Sequence, residues 1–125
     1  MSIGVGIDVS KATLDVAVHG QACPTRSFAN TPVGHAKLGC WLVALAPTQI
    51  VLEATGGYEQ AALDALYEAG LPVARVNPRQ ARDFARAIGQ LAKTDRLDAA
   101  VLAQFAATLT LPRYCPLSPE QRRLA

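Results

Sequence analysis

Between Ile3 and Val9 the chain alternates without a break: Ile3, Val5, Ile7 and Val9 take one side of an extended backbone, and Gly4, Gly6 and Asp8 take the other. The second side is cleared of side chains apart from one carboxylate. After Ser10-Lys11-Ala12 the alternation resumes from Thr13 to His19, with Leu14, Val16 and Val18 together, which predicts a hairpin.

The remaining elements follow from local signals. A weaker strand is expected over Thr25 to Phe28. Thr31 as N-cap and Pro32 at the first helical position then open a helix that turns Leu38, Trp41, Leu42 and Leu45 inward and ends at Pro47. Gln49 to Ala54 is an apolar run interrupted only by Glu53, as in a strand covered on both faces. Thr55-Gly56-Gly57 turns the chain into a helix carrying Ala62, Leu63, Leu66 and Tyr67, closed by Gly70, and Leu71 to Val76 forms a short strand. From Arg79 to about Leu91, Ala81, Phe84, Ala85 and Ile88 recur at helical spacing, with Arg79, Arg82 and Arg86 on a separate stripe. Thr94 is the expected N-cap of a last helix in which Asp95, Asp98, Leu102, Phe105 and Leu109 share a face. A meander followed by alternating strand and helix is the order of an α/β, RNase H-like domain: a mixed sheet flanked by helices. In that order the ends of the first and fourth strands lie side by side, and the last helix crosses the same edge.

With 125 residues, 50% of them hydrophobic, the chain supports one core. The domain is expected over 1–111. The segment 112–125, with three prolines followed by Glu120 to Arg123, reads as a linker running into another helix, so the chain is expected to stop short of its natural end. No apolar run nears the roughly 20 residues of a membrane span, and no signal peptide opens the chain, so a soluble cytoplasmic protein without a membrane partner is expected. Cys23, Cys40 and Cys115 have neither disulfide nor zinc spacing and read as reduced thiols in the interior or on loops. The net charge is only +2, but from Arg75 to Asp98 six basic residues face three acids.

Asp8, Glu53, Asp95 and Asp98 are the candidate catalytic and metal-holding residues. Cleavage of phosphodiesters with two divalent ions needs hard oxygen ligands that set the ions about 3.5–4 Å apart, and carboxylates suit magnesium, with manganese as a substitute. Each acid also has an ordinary reading: Asp8 as a turn former, Glu53 as the partner of an arginine such as Arg75, Asp95 as a favourable charge at a helix N-terminus, Asp98 as a solvated first-turn acid. Their order in the chain favours the metal site. Lys11, Arg79, Arg82, Arg86, Lys93 and Arg96 are the candidate nucleic-acid contacts. Gly56-Gly57 is either a phosphate cradle or a tight turn. Tyr58 either stacks on a base or sugar or packs.

The strings Gly6-Ile7-Asp8-Val9-Ser10-Lys11, Glu53-Ala54-Thr55-Gly56-Gly57-Tyr58 and Lys93-Thr94-Asp95-Arg96-Leu97-Asp98-Ala99 closely resemble the three acidic motifs of the DEDD transposases of bacterial insertion sequences, the bridge-RNA-guided recombinase lineage. Phe28-x-Asn30 and Asn77-Pro78-Arg79-Gln80 resemble the segments between them. The resemblance runs from about residue 3 to Ala106. It implies a RuvC-like nuclease domain in which Asp8, Glu53, Asp95 and Asp98 are the four acids, with magnesium as the ion. It further implies DNA recombination in the excision and insertion of an element, by homo-oligomers guided by a structured RNA. Members of the family continue into a second domain with a serine proposed as nucleophile, and no serine of this chain takes that role.

Two other readings stand beside it: a Holliday-junction-resolvase-like nuclease that needs no RNA, and a non-catalytic RNA-binding module using the arginine stripe. Sugar kinases and actin-like ATPases also open with a Gly-x-Asp hairpin, but they place a glycine and a small hydroxyl residue after the aspartate, where this chain has Val9-Ser10-Lys11.

Overall fold

The computed structural model describes residues 3–20, 25–89 and 98–116. Among the described residues five strands and four helices follow in the order β1 (Gly4–Val9), β2 (Thr13–His19), β3 (Arg26–Ala29), α1 (Pro32–Leu45), β4 (Gln49–Glu53), α2 (Gln60–Glu68), β5 (Val73–Val76), α3 (Pro78–Ala87) and α4 (Ala99–Thr108). The strands form one mixed sheet in the order β3-β2-β1-β4-β5. β1 pairs antiparallel with β2 and parallel with β4, so the opening hairpin stands beside the strand that ends in Glu53.

Each sheet face has its own core. Val5, Ile7, Ile50 and Leu52 pack with Leu38 and Leu42 of α1 and Leu63 and Leu66 of α2. On the other face Val51 and Val76 meet Phe84 of α3 and Leu102 and Phe105 of α4. The two phenyl rings cross edge to face with centroids 4.7 Å apart.

α4 lies against the side of β1 that the sequence leaves bare. A Cβ on Gly6 would stand 2.2 Å from Ala99 O and Ala103 N, and one on Gly4 would stand 2.4 Å from Ala103 O and Ala107 N. Only glycine admits this approach. Ala17 of β2 joins Ala99 and Ala103 in the same seam. Because Gly6 meets the start of α4 and Gly4 its later turns, the helix runs antiparallel to β1, and its N-terminus arrives at the end of the strand that carries Asp8.

The caps explain several boundaries. Thr31 Oγ1 accepts from Gly34 N, and Ala46, left-handed at φ 53°, ends α1 one residue before Pro47. Asn77 and Gln80 form a reciprocal capping box at α3, with Pro78 at the first position. α3 ends at Ala87, short of the expected Leu91, with Ile88 as C-cap ahead of Gly89. α4 differs from expectation at both ends. Asp98 is extended (φ −125°, ψ 176°) and its Oδ1 accepts from Val101 N, so Asp98 is the N-cap and not a first-turn residue. Leu109 leaves the helix and is 46% exposed, so it does not continue the buried stripe. Thr94 lies outside the described residues.

Beyond α4 the chain packs back on the sheet. Leu111 N donates to Gln49 Oε1, and Tyr114 N donates to Val73 O at 2.8 Å. Cys40 and Cys115 are unpaired and exposed; Cys115 lies on a loop as expected, whereas Cys40 lies on α1, in neither the interior nor a loop, and Cys23 lies outside the described residues. Among the described residues no helix is long and apolar enough to cross a membrane.

Candidate active site

Asp8 and Glu53 meet at the ends of neighbouring parallel strands. The β1–β4 ladder pairs Ile7 with Leu52, and the two carboxylates stand one step further on, lining a cleft of about 270 Å³ with Val9, Thr55, Pro78 and Arg82. Burial pushes the Glu53 carboxyl above the usual range, the Asp8 charge pushes it the same way, and Arg82 pulls it back. Two neighbouring carboxylates, one of them raised by the charge of the other, form a hard, oxygen-only donor set of the kind a divalent cation takes.

The structure brings Asp8, Glu53 and Arg82 together. It places Asp98 at the N-terminus of the helix that covers this face, with one carboxylate oxygen engaged in capping. Asp95, Lys93 and Arg96 lie outside the described residues, and among the described residues no three His, Cys, Asp or Glu side chains converge to hold an ion. Lys11 is exposed in the β1–β2 turn, Arg79 and Arg86 are exposed on α3, and Arg86 faces Asp83 at 3.6 Å. Arg75 does not pair with Glu53; it pairs with Glu59 at 3.3 Å.

The glycine loop is a tight turn whose concavity is filled from within. Gly56 and Gly57 adopt φ of 60° and 93°, and the amides of Thr55 and Gly57 both donate to Glu59 Oε1. Tyr58 is 47% exposed beside the cleft. Its carbonyl and that of Ser10 both accept from Asn30 Nδ2, at 3.1 and 2.9 Å, and Asn30 Oδ1 meets His35 Nε2 at 2.7 Å. The Asn30 of the Phe28-x-Asn30 string therefore ties together the two loops that flank the cleft.

Sequence reasoning missed Asp15 and Glu59. Asp15 is the cross-strand partner of Asp8, so Asp15, Asp8 and Glu53 sit side by side on β2, β1 and β4, and Ser27 Oγ donates to Asp15 Oδ1. The signal was the alternation of β2 itself, which puts Asp15 opposite Leu14 and Val16. A second, larger groove of about 710 Å³ between α1 and α2 is lined mainly by alanines and other small or apolar residues. It covers the opposite sheet face from the acids.

The chain is similar to pilin gene-inverting proteins of Moraxella lacunata and Moraxella bovis, each 28% identical over 125 residues, covering 96% of this chain and 39% of those proteins. It thus spans about two-fifths of the length of the curated relatives it matches. In structure it is similar to Thermus thermophilus RuvC, at TM-score 0.54 and 22% identity over 84% of this chain and 90% of that one. The same protein in complex with a Holliday junction substrate matches at TM-score 0.54 and 20% identity. The mixed sheet and its helices are therefore a RuvC-like, RNase H-like fold. The transposase family of the IS110 DEDD type matches residues 5–124, almost the whole sequence, and to that family the chain belongs.

Proposed function

We propose that this chain forms the acidic part of a metal-dependent centre that breaks and rejoins DNA phosphodiesters in the excision and insertion of an insertion sequence. The observation that carries the reading is the shared cleft of Asp8 and Glu53, with α4 delivering Asp98 to the same end of β1. Family membership implies a divalent ion; magnesium is our choice, because the donors are carboxylates. Asp8, Glu53, Asp95 and Asp98 would hold it. When bound, it supplies activation of the attacking oxygen and charge stabilisation at the leaving one.

The chain's own residues bind and orient. Arg82, half-buried beside Glu53, is suited to steady a phosphate at the cleft, while Lys11, Arg79 and Arg86 offer exposed charge to the flanking backbone, with Lys93 and Arg96 added from the third motif. The relatives' name, pilin gene-inverting, describes a DNA rearrangement, which supports recombination over simple cleavage. Guidance by a structured RNA, assembly as a homo-oligomer and a nucleophilic serine from a second domain are carried over from the family resemblance.

The test is Asp8→Asn in the full-length protein. Recombination is expected to fall to background with the thermal midpoint unchanged or raised, since one of two repelling carboxylates is gone. Wild-type recombination in that variant would sink the metal reading. Cleavage of a four-way junction in the absence of RNA would favour a resolvase activity instead.

A further inference from the structure

Glu59, at the N-terminus of α2, is only 3% exposed. Its carboxylate caps no amide of α2. Its bonds run the other way: Oε1 accepts from Thr55 N at 2.9 Å and from Gly57 N at 3.1 Å, and Oε2 faces Arg75 Nη1 at 3.3 Å. The two positive-φ glycines turn those amides onto one point, making a concavity of the kind that elsewhere receives a phosphate. Burial pushes the Glu59 carboxyl up, but the amides of Thr55, of Glu59 itself and of Gly57, together with Arg75, outweigh it and hold the group below the usual range.

The loop held this way begins at Glu53. Thr55 Oγ1 donates to the Glu53 carbonyl at 3.0 Å, and Ala54 N donates to Val76 O at 2.8 Å. Arg75 then extends the network outward. It donates to Gln60 Oε1 at 3.0 Å and stands 5.7 Å from the centre of the Tyr114 ring. Gln60 Nε2 donates to the Tyr114 hydroxyl, which in turn donates to Asp64 Oδ1. A continuous polar path therefore joins the loop after Glu53 to the segment after α4.

We propose that Glu59 is a positioning residue for the metal centre: its carboxylate fixes the Thr55–Gly57 loop and with it the place of Glu53 in the cleft, and Arg75, Gln60 and Tyr114 extend that restraint to the segment following α4. The proposal rests on the metal-centre reading of Asp8 and Glu53. Outer partners that orient metal ligands typically change metal affinity about 10- to 100-fold when removed.

The experiment is a Mn2+ titration of the full-length protein with a four-way DNA junction present, followed by loss of the free-ion paramagnetic resonance signal, with the thermal midpoint taken on each sample. Glu59→Ala is expected to weaken Mn2+ binding about 10- to 100-fold. Glu59→Gln, whose amide oxygen still accepts both N–H groups, is expected to recover most of it. Tyr114→Phe is expected to show a smaller loss. If Glu59→Ala does not fold, Glu59→Asp, too short to reach both amides, replaces it. A lowered midpoint with wild-type Mn2+ affinity in Glu59→Ala, while Asp8→Asn loses affinity, overturns the proposal alone. Wild-type affinity in Tyr114→Phe overturns its extension to the segment after α4. No Mn2+ binding by the wild type, or full binding by Asp8→Asn, overturns the metal reading and the proposal with it.

Discussion

Gln49 is 2% exposed at the base of β4, and its amide uses all four hydrogen-bonding positions. Nε2 donates to the carbonyls of Ala106 and Leu109, and Oε1 accepts from Leu111 N and Arg113 Nη1. It thereby satisfies the C-terminal end of α4. Gln49→Leu, which removes the partner of the buried Ala106 carbonyl and of the partly buried Leu111 amide, is expected to cost about 2–4 kcal/mol in urea unfolding. His35, unlike Gln49, makes stability depend on pH. Burial lowers its proton affinity below the ordinary 6.5, so the unfolded chain takes up the proton first, and stability falls as pH drops below that value. In His35→Gln the loss of stability between neutral pH and about pH 5 should shrink, as thermal midpoints across that range would show. These two residues also mark how far a sequence can be read. Glu53 is conspicuous because a carboxylate inside an apolar run is costly. Gln49 is not, because its partners lie 57 to 64 positions away and nothing local announces them.

Among the elements, β1 and α4 form the contact on which the site depends. Gly6→Ala would drive a methyl group into Ala99 O and Ala103 N, and backbone cannot yield as a side-chain tip can. A loss of about 3 kcal/mol or more is expected, with recombination failing even in preparations that still fold, because the start of α4 is displaced from Asp8. Denaturation and recombination assays on the same preparation check both halves. β1, β2 and α1 were legible because period-two alternation and a Thr-Pro cap are local signals. The start of α4 was not. Thr94 and Asp98 are both good N-cap types four positions apart, and choosing between them requires knowing where Gly6 meets the helix. The closeness of Asp15 to Asp8 likewise depends on strand register, which a lone hairpin pattern leaves open.

For the whole molecule, a net charge of +2 conceals an uneven surface, in which Arg79 and Arg86 are exposed on α3 and Arg82 reaches the acids. If these arginines follow the phosphate backbone as proposed, replacing Arg79 and Arg86 by alanine should lower DNA affinity evenly across sequences. It should also flatten the plot of log affinity against log salt by about 0.9 for each phosphate that is no longer neutralised. Filter binding at several salt concentrations measures that slope. The entrance to the cleft has a property of its own. One Asn30 amide nitrogen holds the Ser10 and Tyr58 carbonyls, so the turn bearing Lys11 and the loop bearing Tyr58 share a single pin. The two sides of the mouth are thus joined through one side chain, and under the proposed function the spacing it sets is what an entering strand would meet first.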